Sequence, residues 1–377
     1  MKKIKILIVA GHMNVGGIEN QLMHLLRNAD PDRYRIEFTT TADQPYFTNE
    51  IERLGSRCIH LPKTNRIHYL RYVKELYRVM KTGSYDIVHA HELFFSGLVL
   101  TVARLAKVPG RFVHAHNWSD DDGTGRNRSI VRKIYNNVMQ KLILCNSTCQ
   151  LACSTLAGRF LYGEDTLKKP TYHLVFNSVD TRKYLDHYDR TESGEFCDDG
   201  WINILQVGRF TEIKNQLFAA QIAHEFKKRS KKIRILCAGN TGTTYEDQVT
   251  AAIETLGIQD HMQLLGVRSD IDVLMRKSSA FLLPSLYEGM PLVLIEAQAS
   301  GLPCVVADTF SHEVDFGIGN INWMQLSDGA AAWADAVEMA VNEERAAKKD
   351  VIRAVEEKRF DSRMFAKTLC DLYESAV

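Results

Sequence analysis

Short apolar segments alternate with helical patterns along the whole chain, and this alternation constrains the fold more than any other feature. We predict strands at the apolar, β-branched segments, which are residues 4–10, 36–40, 58–61, 86–90, 111–115 and 173–176, then 202–207, 233–238, 262–265, 280–283 and 303–307. Segments with helical periodicity lie between them, for example residues 18–29 and 69–80. Strands that alternate with helices form βαβ units, whose strands pair in parallel. The chain is therefore predicted to be an α/β protein whose pattern runs twice.

The length of 377 residues allows two domains of ordinary size. Residues 186–200 are polar, acidic and contain glycine, as expected of a linker. We predict a Rossmann-like domain at residues 1–185, a second one at 200–355, and a C-terminal helical segment at 356–377 that packs back on the first domain. Two such domains that face a central cleft would bind a ligand at the C-terminal ends of their strands.

Charge and cysteine content exclude several classes of protein. The 47 basic and 46 acidic residues give a formal net charge of +1, too small for a protein whose main partner is nucleic acid. No apolar run reaches the roughly 18 to 20 residues that cross a bilayer, so we expect a cytoplasmic protein.

Cys145, Cys149 and Cys153 form the closest set of cysteines. Without a CxxC pair or an adjacent histidine, we interpret them as small buried side chains rather than metal ligands.

Two glutamates, Glu288 and Glu296, bracket the segment EGMPLVLIE, where a strand gives way to a helix. We predict Pro291 at the first helical position, where no N–H is needed, and Gly289 where backbone donors approach a ligand closely. Such a loop offers N–H groups to an anion and two carboxylates to hydroxyls, and a nucleotide-sugar carries both groups. The alternative is an ordinary strand-to-helix connection with two solvated acids.

Glycines followed by cations mark a second candidate phosphate site. Gly208 ends the first strand of the second half, and Arg209 and Lys214 then place two cations at the mouth of the sheet. A departing diphosphate gains negative charge, which preorganised cations stabilise.

After the first strand of the chain, Gly16 and Gly17 precede a helix. Their spacing is not GxGxxG, which weakens the interpretation as a dinucleotide-binding motif.

Four histidines lie at two strand ends, in the sequences VHAH and VHAHN. Strand alternation puts His114 and His116 on one face, with His114 toward the packing layer and His116 at the exit. His89 and His91 form the other pair. Because only Glu92 stands beside either pair, we predict no metal site there.

In their order and spacing, these motifs resemble those of the retaining glycosyltransferases of family 4. The resemblance rests on E-G-x-P-x4-E at residues 288–296, G-R-x4-K-N at 208–215 and G-G-x-E at 16–19. The segment A-C-S at 152–154, the loop at 266–271 and N-S-V-D at 177–180 also fit, although Ser178 replaces the usual glycine. The greatest likeness is to bacterial transferases of exopolysaccharide or capsule assembly.

The resemblance implies the GT-B fold, with an acceptor-binding N-terminal domain and a donor-binding C-terminal domain. It implies transfer of a hexose-type sugar, with retained configuration and without metal or other cofactor, from a nucleotide-sugar, most simply a UDP-sugar, to a glycan or lipid-linked saccharide. His116, Arg209, Lys214 and Glu288 would act in catalysis, and Glu296 would bind the ribose. The residues implied at the donor are Gly16, Gly17, Gly208, Arg209, Lys214, Arg268, Glu288, Gly289, Met290, Pro291, Leu292 and Glu296.

Several alternatives stay open at this point. An inverting transferase of the same fold would use His12, which follows the first strand, as its base. A nucleotide-sugar epimerase or a phosphorylase would share the architecture, and an NAD-dependent dehydrogenase is disfavoured by the missing GxGxxG. Asp120 and Asp122 have the D-x-D spacing of metal–diphosphate sites in another transferase fold, but we interpret their loop as solvated.

A basic segment without acids suggests a further partner. Its basic residues are Arg126, Arg128, Arg132, Lys133 and Lys141, and its apolar residues are Ile130, Val131, Ile134, Tyr135, Val138 and Met139. Their helical spacing predicts a basic amphipathic helix that contacts an anionic membrane at its inner face. The alternative is a core helix with a solvated basic face.

Overall fold

The computed structural model describes residues 2–14, 16–63, 69–116, 130–186, 188, 196, 199–240 and 242–377. They form two compact units, one of Met1–Val179 with Phe360–Val377 and one of Asp180–Arg359. The chain thus leaves the first unit at residue 179 and returns to it at residue 360, where the sequence had suggested 185 and 356. Most of the predicted linker, residues 186–200, lies outside the described residues.

Unit 1 contains a seven-stranded parallel sheet in the order β3-β2-β1-β4-β5-β6-β7. Its strands are β1 (Ile4–Val9), β2 (Tyr34–Thr40), β3 (Cys58–His60), β4 (Ile87–Ala90), β5 (Gly110–Ala115), β6 (Cys149–Ala152) and β7 (Tyr172–Leu174). Its helices are α1 (Gly17–Asn28), α2 (Thr48–Arg53), α3 (Tyr69–Gly83), α4 (Ser96–Leu105), α5 (Ile130–Asn146), α6 (Thr155–Tyr162) and α14 (Ser362–Glu374). The central strands β1 and β4 are almost continuously buried because helices cover both faces of the sheet.

Unit 2 contains a six-stranded parallel sheet in the order β10-β9-β8-β11-β12-β13. Its strands are β8 (Ile202–Val207), β9 (Ile233–Ala238), β10 (Met262–Gly266), β11 (Ala280–Leu283), β12 (Cys304–Ala307) and β13 (Ile321–Met324). Its helices are α7 (Arg182–Leu185), α8 (Gln216–Lys228), α9 (Thr244–Leu256), α10 (Ile271–Lys277), α11 (Leu292–Ala299), α12 (Gly329–Ala340) and α13 (Lys348–Lys358). The predicted fold class, two Rossmann-like α/β domains with parallel sheets, is confirmed.

The C-terminal helix α14 belongs to the core of unit 1. The backbone of Val179 pairs with that of Asp361 in a parallel bridge, which brings the chain back to the sheet. Helix α14 packs against α1, and its Phe365, Leu369 and Tyr373 are buried in the same apolar cluster as strand β1. The last helix is therefore part of the first folding unit.

Two strands were missed by the sequence analysis. Strand β6 contains buried Gln150, whose side-chain amide donates to the hydroxyl of Ser147 and accepts from that of Thr171, so a polar residue is satisfied inside a short strand. Strand β13 lies at the edge of its sheet and is only partly buried, so its residues lack the strong apolar pattern of the others. In both strands the neighbouring strand, rather than the local pattern, decides the structure.

Candidate functional site

The strand ends of unit 2 bring three glycines together. Gly208 follows β8, Gly239 follows β9 and Gly266 ends β10, and these strands are neighbours in the sheet. A Cβ on Gly239 would lie 2.0 Å from the carbonyl oxygen of Gly208, so no other residue fits there without a shift of the backbone. The N–H of Gly239 donates to the carbonyl of Gly266 at 2.9 Å. Sequence reasoning missed Gly239, because a single glycine after a strand carries no motif.

Lys214 and Glu288 meet at the same edge of the sheet. Their strands β8 and β11 are neighbours, and Lys214 Nζ lies 2.5 Å from Glu288 Oε1. Both side chains are largely buried, with 18% and 13% exposure. The lysine stem packs on Gly208, where an added Cβ would lie 3.0 Å from three of its carbons. The two predicted residues therefore form one charged pair.

Local hydrogen bonds hold this pair in place. Asn215 has the left-handed conformation, at φ 56°, and its side-chain amide donates to the carbonyl of Pro284. The N–H of Leu286 donates to the carbonyl of Ile213, and Gln206 donates to the carbonyl of Lys214. The loop after β8 and the loop after β11 are thus tied to each other, which preorganises the pair.

Arg209 differs from Lys214 in its surroundings. Its side chain is exposed, and within the described part of the chain it has no ion-pair partner. Its backbone carbonyl accepts from the side chain of Gln216 at 3.1 Å, which fixes the loop. An exposed guanidinium at the strand ends is available to a phosphate group.

Helix α11 begins one residue later than the sequence predicted. Pro291 is the N-cap, with extended backbone at φ −71° and ψ 107°, and Leu292 is the first helical residue. The predicted position of Pro291 inside the helix was wrong, because its backbone is extended and its carbonyl accepts from the N–H of Leu294 and Ile295 as that of an N-cap residue does. Gly289 and the buried Met290 complete the loop between Glu288 and the helix.

Glu296 lies on α11 with an altered pKa. Burial raises the pKa of its carboxyl to about 7, while a hydrogen bond from Tyr184 and the charge of Lys183 act in the opposite direction and Asp272 adds to the increase. Tyr184, on α7, is buried and was not recognised from the sequence. A carboxyl group that is half-ionised near neutral pH, beside a phenol, is suited to bind hydroxyl groups.

Arg268 belongs to the loop after β10, two strands away from β8. Its guanidinium forms two hydrogen bonds to the carboxylate of Asp270, at 2.9 and 2.8 Å. Val267 beside it is 75% exposed. The carboxylate fixes the orientation of the Arg268 side chain in the loop after β10.

The remaining predicted site residues lie in unit 1. Gly16 is the N-cap of α1 and Gly17 is its first residue, and a Cβ on Gly16 would lie 2.3 Å from a carboxylate oxygen of Glu19. His12 is exposed in the same loop.

Ser178 stands in place of the glycine that the resemblance suggested. It is accommodated because its N–H and its hydroxyl both donate to Gln21 Oε1, at 2.7 and 2.9 Å.

Glu92 is a further candidate in unit 1 that the sequence analysis left without a role. It follows β4, next to the end of β1, and a Cβ on Gly11 would lie 3.0 Å from its Oε1. Burial raises the pKa of Glu92 to about 7, and the charge of Glu19 adds to the increase. The only sequence signal was an acid directly after a strand-end histidine.

The four histidines at the ends of β4 and β5 form one buried cluster. The register places His91 beside His114, since His89 pairs with Phe112 and Ala90 with Val113. His91 Nδ1 lies 2.8 Å from His116 Nε2, and the rings of His114 and His116 stack with centroids 4.3 Å apart. Burial lowers the pKa of His116 to about 4. The expected orientation of His114 into the packing layer agrees with this arrangement.

The first half of α5 exposes its apolar side chains. Ile130, Val131 and Ile134 are 77%, 75% and 58% exposed, and Val138 is also exposed. The second half packs on α4, where a Cβ on Gly97 would lie 2.5 Å from the carbonyl of Met139. Among the described residues, the first half of α5 is thus less buried than the alternative of a core helix would predict. Arg126, Arg128 and the Asp120–Asp122 spacing lie outside the described residues.

No helix in the described part of the chain is both long and apolar enough to cross a membrane. Cys145, Cys149 and Cys153 form no disulfide bonds among the described residues, and Cys149 and Cys153 are buried.

Comparisons with known proteins place these features in a family. The model named Glycosyltransferase Family 4 matches residues 15–183, and the model named Glycosyl transferases group 1 matches residues 196–357. EpsF of Bacillus subtilis (strain 168), named as a glycosyltransferase, is 31% identical over 98% of this chain and 96% of its own length. The capsular polysaccharide biosynthesis glycosyltransferase CapH of Staphylococcus aureus is 28% identical over 78% of each chain.

A third relative and a solved structure extend the comparison. The UDP-Gal:alpha-D-GlcNAc-diphosphoundecaprenol alpha-1,3-galactosyltransferase of Escherichia coli is 27% identical over 62% of this chain and 60% of its own length. The crystal structure of Anabaena HepE in complex with UDP and glucose superposes with a TM-score of 0.78, at 16% identity, over 99% of this chain and 100% of that one. The fold is therefore GT-B, and the chain belongs to the glycosyltransferases of family 4.

Proposed function

We propose that this protein is a retaining glycosyltransferase that moves a hexose-type sugar from a UDP-sugar to a glycan or lipid-linked saccharide in surface polysaccharide biosynthesis. The observation that carries the proposal is the Lys214–Glu288 pair, held at 2.5 Å beside Gly208 where two adjacent strands end. A cation and a carboxylate in one preorganised loop pair match a donor that carries a diphosphate and sugar hydroxyls.

The proposed roles follow from the surroundings of each residue. Arg209, which is exposed, and Lys214 stabilise the departing diphosphate. Glu288 accepts from hydroxyls of the donor sugar, and Glu296 accepts from the ribose. His116, which is neutral because burial lowers its pKa to about 4, contacts the sugar as a hydrogen-bonding group rather than as a cation.

The choice of donor is supported by two of the comparisons. HepE was crystallised with UDP and glucose, and the E. coli relative is named for UDP-Gal. The name of that relative also gives an α-1,3 linkage, and a UDP-hexose carries its sugar in the α configuration. For this chain we accordingly propose transfer with retention, in which two cations, and no metal ion or other cofactor, stabilise the diphosphate.

The proposed acceptor is supported by the same relatives and by α5. CapH is named for capsular polysaccharide, and the E. coli relative for a diphosphoundecaprenol acceptor. Helix α5 has exposed apolar side chains together with Arg132, Lys133 and Lys141 and no acidic residue. We propose that this surface contacts an anionic membrane at its inner face, where a lipid-linked acceptor would reside.

A screen of nucleotide-sugars tests the proposal. UDP-glucose, UDP-galactose, their GDP counterparts and NAD are each added to the purified protein, and thermal stability is measured. A donor at 100 times its dissociation constant should add about 2.7 kcal/mol to the free energy of unfolding. Stabilisation by GDP-sugars alone would reject UDP as the nucleotide, and stabilisation by NAD alone would reject the transferase assignment of the site.

Transfer itself is then measured with the stabilising donor and a membrane extract as the source of acceptor. Label from the sugar should move into lipid-extractable saccharide. Conversion of the donor into another nucleotide-sugar without any acceptor would instead indicate an epimerase.

A further inference from the structure

The histidine cluster at the ends of β4 and β5 has the features of a metal site. One ring nitrogen from each of His89, His91 and His114 lies within 4.8 Å of the others, and all three side chains are buried. Residues at i and i+2 of one strand share a face, and the parallel register brings His114 beside them. The sequence favoured no metal there because it could not show that the two pairs meet.

The hydrogen bonds of the cluster leave ligand atoms free. His89 uses Nδ1 to contact the hydroxyl of Tyr373 at 2.6 Å, and His91 uses Nδ1 to contact His116 Nε2 at 2.8 Å. Among the described residues, His89 Nε2, His91 Nε2 and both ring nitrogens of His114 have no hydrogen-bond partner, although all are buried. Buried polar atoms normally have partners, so a group of them without hydrogen bonds in one place points to a ligand.

The outer contacts are also those that metal-binding histidines need. A ligating imidazole usually donates its second N–H to a neighbouring group, which fixes the tautomer and the ring orientation. If His89 and His91 donate from Nδ1 to Tyr373 and His116, the Nε2 lone pair of each remains for a ligand.

We propose that His89, His91 and His114 bind one transition-metal ion, most simply Zn²⁺. Three imidazoles without a carboxylate suit Zn²⁺, Ni²⁺ or Cu²⁺ and do not suit Mg²⁺ or Ca²⁺. Zn–N distances of about 2.0–2.1 Å require the three nitrogens, which lie within 4.8 Å of one another, to come closer together when the ion binds. The ion links the C-terminal ends of β4 and β5 and, through Tyr373, the C-terminal helix α14. It is distinct from the diphosphate site, whose cations belong to unit 2.

The test uses the full chain after chelator treatment. Zn²⁺ is titrated by calorimetry, Co²⁺ by visible absorption, and melting temperature is measured with Zn²⁺, with Mg²⁺ and without metal. We expect one Zn²⁺ per chain, the visible bands of a tetrahedral or five-coordinate Co²⁺ ion, and a higher melting temperature with Zn²⁺ but not with Mg²⁺. X-ray absorption at the zinc edge of the wild-type protein should show imidazole nitrogens as ligands.

Variants separate a built site from surface binding. His114→Gln and His89→Gln should each lower the Zn²⁺ affinity by at least ~10-fold, and Tyr373→Phe, which keeps every ligand, by about 10- to 100-fold. Phe112→Leu is the matched control for core packing, because its ring contacts those of His89 and Tyr373 without supplying a ligand. His60→Gln controls for an exposed histidine. Both controls should bind Zn²⁺ as the wild type does.

Two kinds of result would overturn the proposal. One is the absence of Zn²⁺ and Co²⁺ binding by the wild-type protein, which would mean that the cluster holds only water and neutral rings. The other is wild-type affinity in His114→Gln and His89→Gln, or a zinc-edge spectrum without imidazole ligands. Because the measurements are of binding and not of sugar transfer, failure of the proposed function leaves their outcome unchanged.

Discussion

At the scale of single residues, the two cations of the proposed diphosphate site are not equivalent. Lys214 is largely buried and lies 2.5 Å from the carboxylate of Glu288, whereas Arg209 is exposed. A bound diphosphate would therefore compete with Glu288 for Lys214 but would meet Arg209 without such competition. The two side chains should contribute differently to donor binding and to turnover.

We expect Arg209→Ala and Lys214→Ala each to lower turnover by roughly two to three orders of magnitude, as for other preorganised charged contacts. Arg209→Ala should leave the melting temperature unchanged. Lys214→Ala should also lower it, because Glu288 then loses a charged partner in a largely buried position. Steady-state transfer rates and thermal melts measure both effects.

Lys232→Ala is the control for these variants, since Lys232 is exposed elsewhere in unit 2. If both Arg209→Ala and Lys214→Ala keep transfer within threefold of the wild type, the diphosphate role is wrong.

A second prediction at this scale concerns pH. The pKa of Glu296 is raised by burial to about 7, and its ionised form accepts best from ribose hydroxyls. Affinity for a UDP-sugar, whose diphosphate does not titrate here, should thus be ~10-fold weaker near pH 6 than near pH 8. Glu296→Gln should remove this dependence. Calorimetry across the range measures it, with exposed Glu254→Gln as control.

The stability of the protein should show the opposite trend. At pH values between the ordinary pKa of a glutamate and about 7, the folded chain holds a proton on Glu296 that the unfolded chain has lost. The free energy of unfolding therefore falls as pH rises through this range. Glu296→Gln should flatten that slope. A donor affinity that changes equally with pH in the wild type and in Glu296→Gln would disprove the ribose contact.

At the scale of secondary-structure elements, α5 differs from the other long helices of unit 1. Its second half packs on α4, yet among its residues only Ile143 and Asn146 are buried. Helix α1, by contrast, buries one face, and α14 buries Phe365, Leu369 and Tyr373. The proposed membrane contact rests on these exposed isoleucines and valines and on the basic residues next to them.

We expect the protein to co-sediment with vesicles that contain anionic lipid and to be released by salt. Arg132→Gln with Lys133→Gln should weaken this binding by roughly 10- to 30-fold, at about 1 kcal/mol per basic residue. Ile130→Ser with Ile134→Ser should weaken it on anionic and on zwitterionic vesicles, because it removes buried apolar area.

Met339→Ser, a change at an exposed apolar residue of unit 2, is the control and should bind as the wild type does. Equal, negligible sedimentation of the wild-type protein with both kinds of vesicle would remove the membrane from the proposed function.

At the scale of the whole molecule, membership of family 4 and the GT-B fold leave the stereochemical outcome to be tested. We expect the product to keep the α configuration of the donor, since the Gly16–Gly17 and Glu288–Glu296 motifs match the retaining family. His12 is exposed in the loop after β1 and is the residue that an inverting enzyme would use as base.

The anomeric proton coupling of the purified product, read by NMR, distinguishes the two outcomes. His12→Ala should retain most of the transfer rate if His12 lies in a loop or contacts the acceptor. A β-linked product from an α-linked donor, together with an inactive His12→Ala, would establish inversion and reject retention.

The sequence by itself determined the fold class, the repeated βαβ pattern and the motifs that identify the family. Strands such as β1 and β8 were readable because their residues are mostly buried and mostly apolar. The glycines and charges after β8 and β11 were readable because a parallel sheet brings such strand ends to one edge. The acceptance of Ser178 in place of glycine, by contrast, could not be predicted from the sequence. It depends on a hydrogen bond to Gln21, which lies far away in the chain.

Only the tertiary structure decided which of these residues meet. It paired Lys214 with Glu288 and placed Gly239 against Gly208. Burial in the folded chain raised the pKa of Glu92 and of Glu296. The register of β4 and β5 brought four histidines from two strands together. It also revealed β6 and β13, whose residues form strands because a neighbouring strand supplies their hydrogen bonds. The physical reason is the same in each case, since register, burial and desolvation arise from residues far apart in the chain and have no local sequence signal.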